Sequence, residues 1–349
     1  MPIEKIDIAR FLSMTGLPVI DVRSPAEFEQ ARIPGAYSLP LFSNDERKIV
    51  GTAYKQQSRE QAIKIGLDFF GLKMRKMVEE IESLTSNAAS KQVVVHCWRG
   101  GMRSAGVAWL LDLYGFKVYT IIGGYKSFRH WVIEFLKQDH DFHILGGYTG
   151  SGKTEILYFL QKHGESVVDL ERLAHHKGSA FGAIGQPPQP SQEMFENLLA
   201  KAIFEEEKRG LPIWLEDESQ RMGHINLPQE FWLSIRSKSV QFVNIPFEQR
   251  LDYIVAHYGK LPKAELAAAI TRIQKRLGGL ETKTALNFLI EDNIKEAFRV
   301  LLAYYDKQYQ KALHNRTDKD KLIQIIEGPE PGAELTAKLV IESKKTVDA

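Results

Sequence analysis

The chain has 349 residues, 44% hydrophobic and 26% charged, a composition and length that suit two globular domains with real cores. Its 46 basic and 44 acidic residues give a formal charge of +2, so no whole-protein field attracts nucleic acid and any such site must be a local basic patch. The single cysteine, Cys97, excludes an intrachain disulfide and a zinc site of several cysteines and fits a reducing cytoplasmic setting; Met1–Arg10 lacks the apolar run of a signal peptide, and no apolar stretch of about 18 residues offers a membrane span.

In chain order, Leu17–Asp21 reads as a strand and Ile33-Pro34-Gly35-Ala36 as a turn. Helical spacing runs from about Ser58 to Leu84, with Ile63, Leu67, Met74, Met77 and Ile81 on one side. Val93–His96 is a β-branched strand, and Ser104–Tyr114 an apolar helix stopped by Gly115. Val118–Ile122 is a further strand, followed by Gly123-Gly124. A first domain is therefore expected over residues 1–137, a polar linker over 138–141, a second domain over 142–330 and a tail over 331–349.

The second domain opens with strand Phe142–Leu145 and helix Lys153–His163, ended by Gly164. Strand Ser166–Asp169, a Gly/Pro-rich loop His175–Pro190 and a helix from N-cap Ser191 to Arg209 follow. Strands Ile213–Glu216 and Val240–Asn244 come next, and the remainder to about His314 is largely helical. Strands alternating with helices predict an α/β fold: parallel sheets covered on both faces, with a helical C-terminal extension.

Cys97 lies between a strand and a helix in His96-Cys97-Trp98-Arg99-Gly100-Gly101-Met102-Arg103-Ser104. Two glycines let the backbone curl so that several N–H groups face one anion, and the following helix adds its positive end. Arg99 and Arg103 add charge, so Cys97 is expected to be a nucleophile with a lowered pKa. Together with Asp21-Val22-Arg23-Ser24-Pro25-Ala26-Glu27-Phe28, Arg32-Ile33-Pro34-Gly35-Ala36 and Gly123-Gly124-Tyr125, this loop resembles a rhodanese domain. In that family the cysteine carries a transferable chalcogen. The spacing here is C-x5-R where common sulfurtransferase loops are C-x4-R. It is similar to the rhodanese-fold phosphatases, which leaves phosphatase activity open and also suits a tetrahedral anion such as selenophosphate.

Gly147-Tyr148-Thr149-Gly150-Ser151-Gly152-Lys153-Thr154 matches G-x4-G-K-[ST] after a strand and before a helix. Backbone N–H groups around Gly147, Gly150, Ser151 and Gly152 are expected to cradle phosphate, with Lys153 neutralising charge and Thr154 offering a hydroxyl to Mg²⁺. Asp169, Glu216 and Asp217, with Glu218 next to them, are the candidate acidic partners, and helix capping or solvent exposure is the bland alternative. The motif specifies a diphosphate-like ligand and leaves ATP, GTP and other pyrophosphates open.

A rhodanese domain followed directly by a P-loop resembles the bacterial tRNA 2-selenouridine synthases. Further support comes from Asp169-Leu170-Glu171-Arg172, Pro188-Gln189-Pro190-Ser191-Gln192, Glu216-Asp217-Glu218-Ser219 and Lys275-Arg276-Leu277-Gly278-Gly279. The resemblance implies a cytoplasmic transferase acting on tRNA with 2-thiouridine at the wobble position. It implies S-geranylation from geranyl diphosphate, then selenation from selenophosphate, which a supply enzyme would provide. No tightly bound cofactor is expected. On this reading Phe181, Phe195, Trp214 and Phe231 are candidates for an apolar groove, and Arg272, Lys275 and Arg276, with Lys283 and Arg299, for a tRNA face. The rival readings are a P-loop kinase or NTPase with a fused rhodanese domain, and a rhodanese-fold phosphatase.

Overall fold

The computed structural model describes residues 3–86, 91–314, 316 and 322–347. The chain separates into two compact units, Met1–Phe135 and Leu136–Ala349.

The first unit holds β1 (Glu4–Ile6), β2 (Val19–Asp21), β3 (Tyr37–Ser38), β4 (Gln92–His96) and β5 (Lys117–Ile121). All pairings are parallel, in the order β1-β5-β4-β2-β3. Val93, Val94 and Val95 on β4 are fully buried, as a strand covered by helices on both faces requires. The helical stretch expected from Ser58 to Leu84 is two helices, Arg59–Gly71 and Met74–Thr85. Gly71, a weak helix former, ends the first. The break also shifts the face: Met77 and Ile81 enter the core, whereas Leu67 is exposed.

The second unit holds β6 (Phe142–Gly147), β7 (Ser166–Val167), β8 (Ile213–Glu216), β11 (Val240–Asn244) and β12 (Ile323–Glu327) in a parallel sheet ordered β12-β11-β6-β8-β7. A small antiparallel hairpin, β9 (Arg221–Met222) with β10 (Ile225–Asn226), stands apart from it. From β6 the chain goes to β7 and β8 on one side, then to β11 and β12 on the other. The C-terminal end of β6 is therefore the switch point, where open α/β sheets form their ligand crevice.

Helices Phe247–Tyr258, Lys263–Arg272, Gln274–Leu277, Gly279–Ile290 and Ile294–His314 build a second apolar cluster, including Leu251, Leu266, Ile270, Phe298 and Leu302. Ile273 separates Lys263–Arg272 from Gln274–Leu277. The stretch set apart as a tail contains helix Glu334–Val347, whose Ala337 and Val340 are buried in one cluster with Ile156, Leu157 and Leu160. The units part ahead of the 138–141 stretch, where His140 is buried and its ring lies 2.6 Å from Glu207.

Candidate functional site

Cys97 follows β4 directly, at the C-terminal end of a central strand. Its thiol is buried, 3.3 Å from the Ser104 hydroxyl, and it accepts the Gly101 N–H at 3.3 Å. Burial pushes the thiol up, but hydrogen bonds from the Ser104 side chain and backbone, the charge of Arg103 and the Gly101 N–H together bring it below the ordinary range. The loop is held from behind by Gly124. A side chain there would stand 2.3 Å from the Cys97 carbonyl, and the backbone has φ +59. The Tyr125 and Lys126 N–H groups then bond the carbonyls of Cys97 and Trp98, both at 2.9 Å.

The two loop arginines have different surroundings. Arg103 donates to Glu27 at 2.8 and 3.3 Å, so its guanidinium is already engaged by a carboxylate. Arg99 is exposed. Sequence reasoning missed Ser104, the nearest hydroxyl to the thiol, and Glu27, which also accepts the Ser24 N–H at the start of helix Pro25–Gln30.

In the second unit, β6 runs into the glycine loop at the switch point. Gly152 has φ +73, and a side chain on it would meet the backbone N of Gly332 at 2.2 Å. The Gly332 N–H bonds the Ser151 carbonyl at 3.2 Å, so the segment before the last helix closes over the loop. Lys153 donates to its own loop at the Gly147 carbonyl, 3.0 Å away. The Ser151 hydroxyl is buried without a partner among the described residues. Arg250, unforeseen from sequence, is buried and donates at 3.0 Å to Thr149 O while pairing with Asp306 at 2.7 and 2.9 Å.

Three of the acidic candidates take different parts. Asp169 caps helix Leu170–Ala174 by accepting the Arg172 N–H at 2.7 Å, which is why β7 stops at Val167. Glu216 is fully buried and accepts the N–H groups of Leu170 and Glu171 at 3.0 and 3.4 Å. Burial, with Asp169 and Glu171 nearby, pushes its carboxyl well above the usual range. Asp217 faces the cavity, bonded to the Tyr309 hydroxyl at 2.9 Å and ion-paired with Arg316.

Glu218, the remaining candidate, lines the cavity with the phosphate loop, and so does Glu171, which sequence reasoning did not single out. Glu171 accepts from the Thr154 hydroxyl at 3.4 Å. Burial and the charge of Glu218 push Glu171 up to about 8, against the pull of Lys153. Among the described residues no cluster of three or more acidic, His or Cys side chains is arranged to hold a metal. Mg²⁺ usually keeps several waters and takes one or two protein oxygens plus substrate phosphates. Thr154 and Glu171 fit that sparse donor set.

The loop opens into a cavity of about 620 Å³. Thr149–Thr154 form its phosphate end. Phe181, Ile254, Phe298, Leu301 and Leu302 line an apolar part, with Tyr253, Tyr258, Tyr304 and Tyr305 beside them. Of the four aromatic residues expected in a groove, only Phe181 reaches it. Phe195, Trp214 and Phe231 are fully buried core residues.

A family model for the tRNA 2-selenouridine synthase AAA domain matches residues 140–325, and a rhodanese-like domain model matches residues 7–130. A tRNA 2-selenouridine synthase of Bdellovibrio bacteriovorus is 34% identical over 89% of this chain and 93% of that protein. The chain belongs to the tRNA 2-selenouridine synthase family. Another family protein, from Shewanella halifaxensis, is 34% identical over 86% of this chain and 90% of its own length. One from Nitrosomonas europaea is 36% identical over 72% of this chain and 66% of its own length.

Within this selenouridine synthase fold the expected basic face divides. Lys275 and Lys283 are exposed. Arg276 lines the cavity, and Arg272 donates to the Ala180 carbonyl at 3.2 Å. Arg299 is taken up by Glu248 and Glu296 and leaves the patch.

Proposed function

We propose that this chain converts wobble 2-thiouridine of tRNA to 2-selenouridine in the cytoplasm through an S-geranyl intermediate. The carrying observation is that a diphosphate-type loop opens into a cavity of about 620 Å³ with Phe181, Ile254, Phe298, Leu301 and Leu302 among its lining residues. A prenyl diphosphate needs an anion cradle joined to an apolar slot, and this lining supplies both. At about 0.8 kcal/mol per buried CH₂, burying a geranyl chain supplies substantial affinity.

In the first step the thione sulfur attacks the allylic carbon, the carbon–oxygen bond to diphosphate breaks, and the base loses its N3 proton to water. The loop N–H groups and Lys153 stabilise the charge that builds on the departing diphosphate. Thr154 and Glu171 would hold a Mg²⁺ ion, which would supply further charge neutralisation. In the second step selenium from selenophosphate replaces sulfur at the base carbon and geranylthiol leaves, the phosphorus–selenium bond being hydrolysed. The Cys97 loop, with Gly101 and Ser104 directed at sulfur, serves this step, fed by a selenophosphate-forming enzyme. The engaged state of Arg103 weighs against a phosphatase cradle.

The test is nucleoside mass spectrometry of 2-thiouridine tRNA incubated with geranyl diphosphate and selenophosphate. Cys97→Ser should accumulate geranylated base, and Lys153→Ala should form neither product. An unchanged nucleoside profile with the wild-type protein would refute the reading.

A further inference from the structure

The phosphate loop contains a turn whose middle peptide could point either way, and a buried arginine outside the loop holds one of its two edges. The Ser151 N–H bonds the Tyr148 carbonyl at 3.1 Å, closing a four-residue β-turn over residues 148–151. Gly150, third in the turn, has φ +82. Among the described non-glycine residues only His175 and Asp292 have positive φ, so Thr149 does not, and the turn is of type II. Types I and II differ by a flip of the middle peptide, here the one joining Thr149 to Gly150. Glycine in third place accepts either backbone, so the loop's own residues do not choose between them. Arg250 does. It is buried on helix Phe247–Tyr258 and donates to the Thr149 carbonyl at 3.0 Å. Asp306, on helix Ile294–His314, accepts from Nη1 and Nη2 at 2.9 and 2.7 Å, and the Ile245 carbonyl accepts from Nε at 3.0 Å. The guanidinium is therefore fixed on three sides and cannot follow a flipped peptide.

The consequence lies on the other edge of that peptide. In a planar trans peptide the C=O and N–H point in opposite directions. With the Thr149 carbonyl held by Arg250, the Gly150 N–H points away from the guanidinium. Gly150 is only partly buried and lines the cavity, and its N–H meets no acceptor among the described residues. In the flipped turn a carbonyl oxygen would take the place of that N–H, and an oxygen there repels an anion that the N–H attracts. We infer that Arg250, anchored by Asp306, is a positioning residue for the diphosphate: it locks the 148–151 turn so that the Gly150 N–H, rather than the Thr149 oxygen, meets the phosphate. This rests on the reading of the loop as a diphosphate site. The charge of Arg250 is matched by Asp306, so what it supplies is orientation.

The experiment reads the turn and the binding separately. NMR of the full chain measures the approach of the Thr149 Hα to the Gly150 N–H, which is close in a type II turn and distant in type I. Calorimetry measures the affinity for inorganic pyrophosphate. Both are applied to wild type, Arg250→Lys, Asp306→Asn and Leu266→Ala. Arg250→Lys keeps the charge but cannot hold Thr149, Ile245 and Asp306 together. Leu266 belongs to the helical cluster that also holds Leu251 and Ile254 and does not line the cavity, so its truncation controls for general loosening. Wild type should show the close approach. Arg250→Lys and Asp306→Asn should weaken it and lower pyrophosphate affinity by about tenfold, the lower range for one hydrogen bond to a charged acceptor. Leu266→Ala should lower the unfolding temperature and leave both readings unchanged. Weakened binding with the turn intact, a flipped turn with unchanged binding, or equal effects from Leu266→Ala would each overturn the inference. Should Arg250→Lys fail to fold, Asp306→Asn decides. A wild type that binds no pyrophosphate would instead remove the diphosphate reading, while the NMR contact still decides whether Arg250 sets the turn.

Discussion

Arg103 donates through both terminal nitrogens to Glu27, at 2.8 Å to Oε2 and 3.3 Å to Oε1, and so ties the Cys97 loop to helix Pro25–Gln30. Burial pushes the Glu27 carboxyl up, but Arg103, the Ser24 N–H and Arg47 outweigh it and hold it below the usual carboxylate range. A depressed carboxyl contributes stability above its unfolded pKa and loses it as pH falls through the folded value. The wild type should therefore exceed Glu27→Gln by about 1 kcal/mol near neutrality, with the difference shrinking as pH falls through the lowered folded pKa. Urea unfolding across that range measures it. A pH-independent gap would mean that Glu27 acts by shape alone.

The same geometry orders the contributions to Cys97 reactivity. The Ser104 hydrogen bonds lower the thiol more than the Arg103 charge does. A hydrogen bond worth about 1 kcal/mol corresponds to about fivefold in thiolate population where the thiol is mostly protonated. Ser104→Ala should slow iodoacetamide alkylation at pH 7 by about that factor, and Arg103→Gln by less. Rates for both should approach the wild-type rate at high pH, where every thiol is ionised. A reversed order of the two variants would displace Ser104 from this role.

The phosphate loop can be tested against an internal control. Gly152 and Gly164 both have positive φ, +73 and +92. A side chain on Gly164 meets nothing within 4 Å, whereas one on Gly152 strikes the Gly332 backbone. Gly164→Ala should cost about 1–2 kcal/mol, the ordinary left-handed penalty, and leave diphosphate binding intact. Gly152→Ala should cost more and abolish diphosphate binding, because Gly332 or the loop must move. Thermal unfolding with diphosphate calorimetry checks both, and equal losses of stability would show that Gly332 yields easily.

Both chemical loops were legible because each is local. The motifs occupy consecutive residues, and β4 and β6 announce themselves as apolar runs. Ser43 and Glu46 also announced their helix, Asn44–Gln56, through a capping box that a search for apolar periodicity passes over. What was not legible depends on distant partners. Asp169 and Glu216 sit at strand ends where a metal ligand would, yet backbone N–H groups claim both. Glu171 and Arg250 meet the loop only after folding. Phe195, Trp214 and Phe231 are core rather than groove, and core and groove aromatics share one sequence pattern.

The apolar end of the cavity should set prenyl length. Phe298, Leu301 and Leu302 line the cavity and also belong to the buried helical cluster, and the Phe298 ring stands 5.9 Å from that of Phe181. The slot therefore ends on core side chains, and its depth is set by their size. Phe298→Ala removes a ring from that floor. A farnesyl chain adds one isoprene unit to geranyl, and each extra CH₂ buried is worth about 0.8 kcal/mol. The vacated space should admit the added unit, whereas the geranyl chain should lose contacts on the same substitution. Competition between geranyl and farnesyl diphosphates, read as S-prenylated nucleoside by mass spectrometry, should shift toward farnesyl by at least tenfold relative to wild type, about 1.4 kcal/mol. Leu302→Phe should act in reverse and favour dimethylallyl diphosphate by shortening the slot. Core truncation of this kind carries its own cost in stability, about 3–5 kcal/mol, so the ratio of products rather than the total rate is the quantity to compare. An unchanged ratio in both variants would place the prenyl chain elsewhere in the cavity.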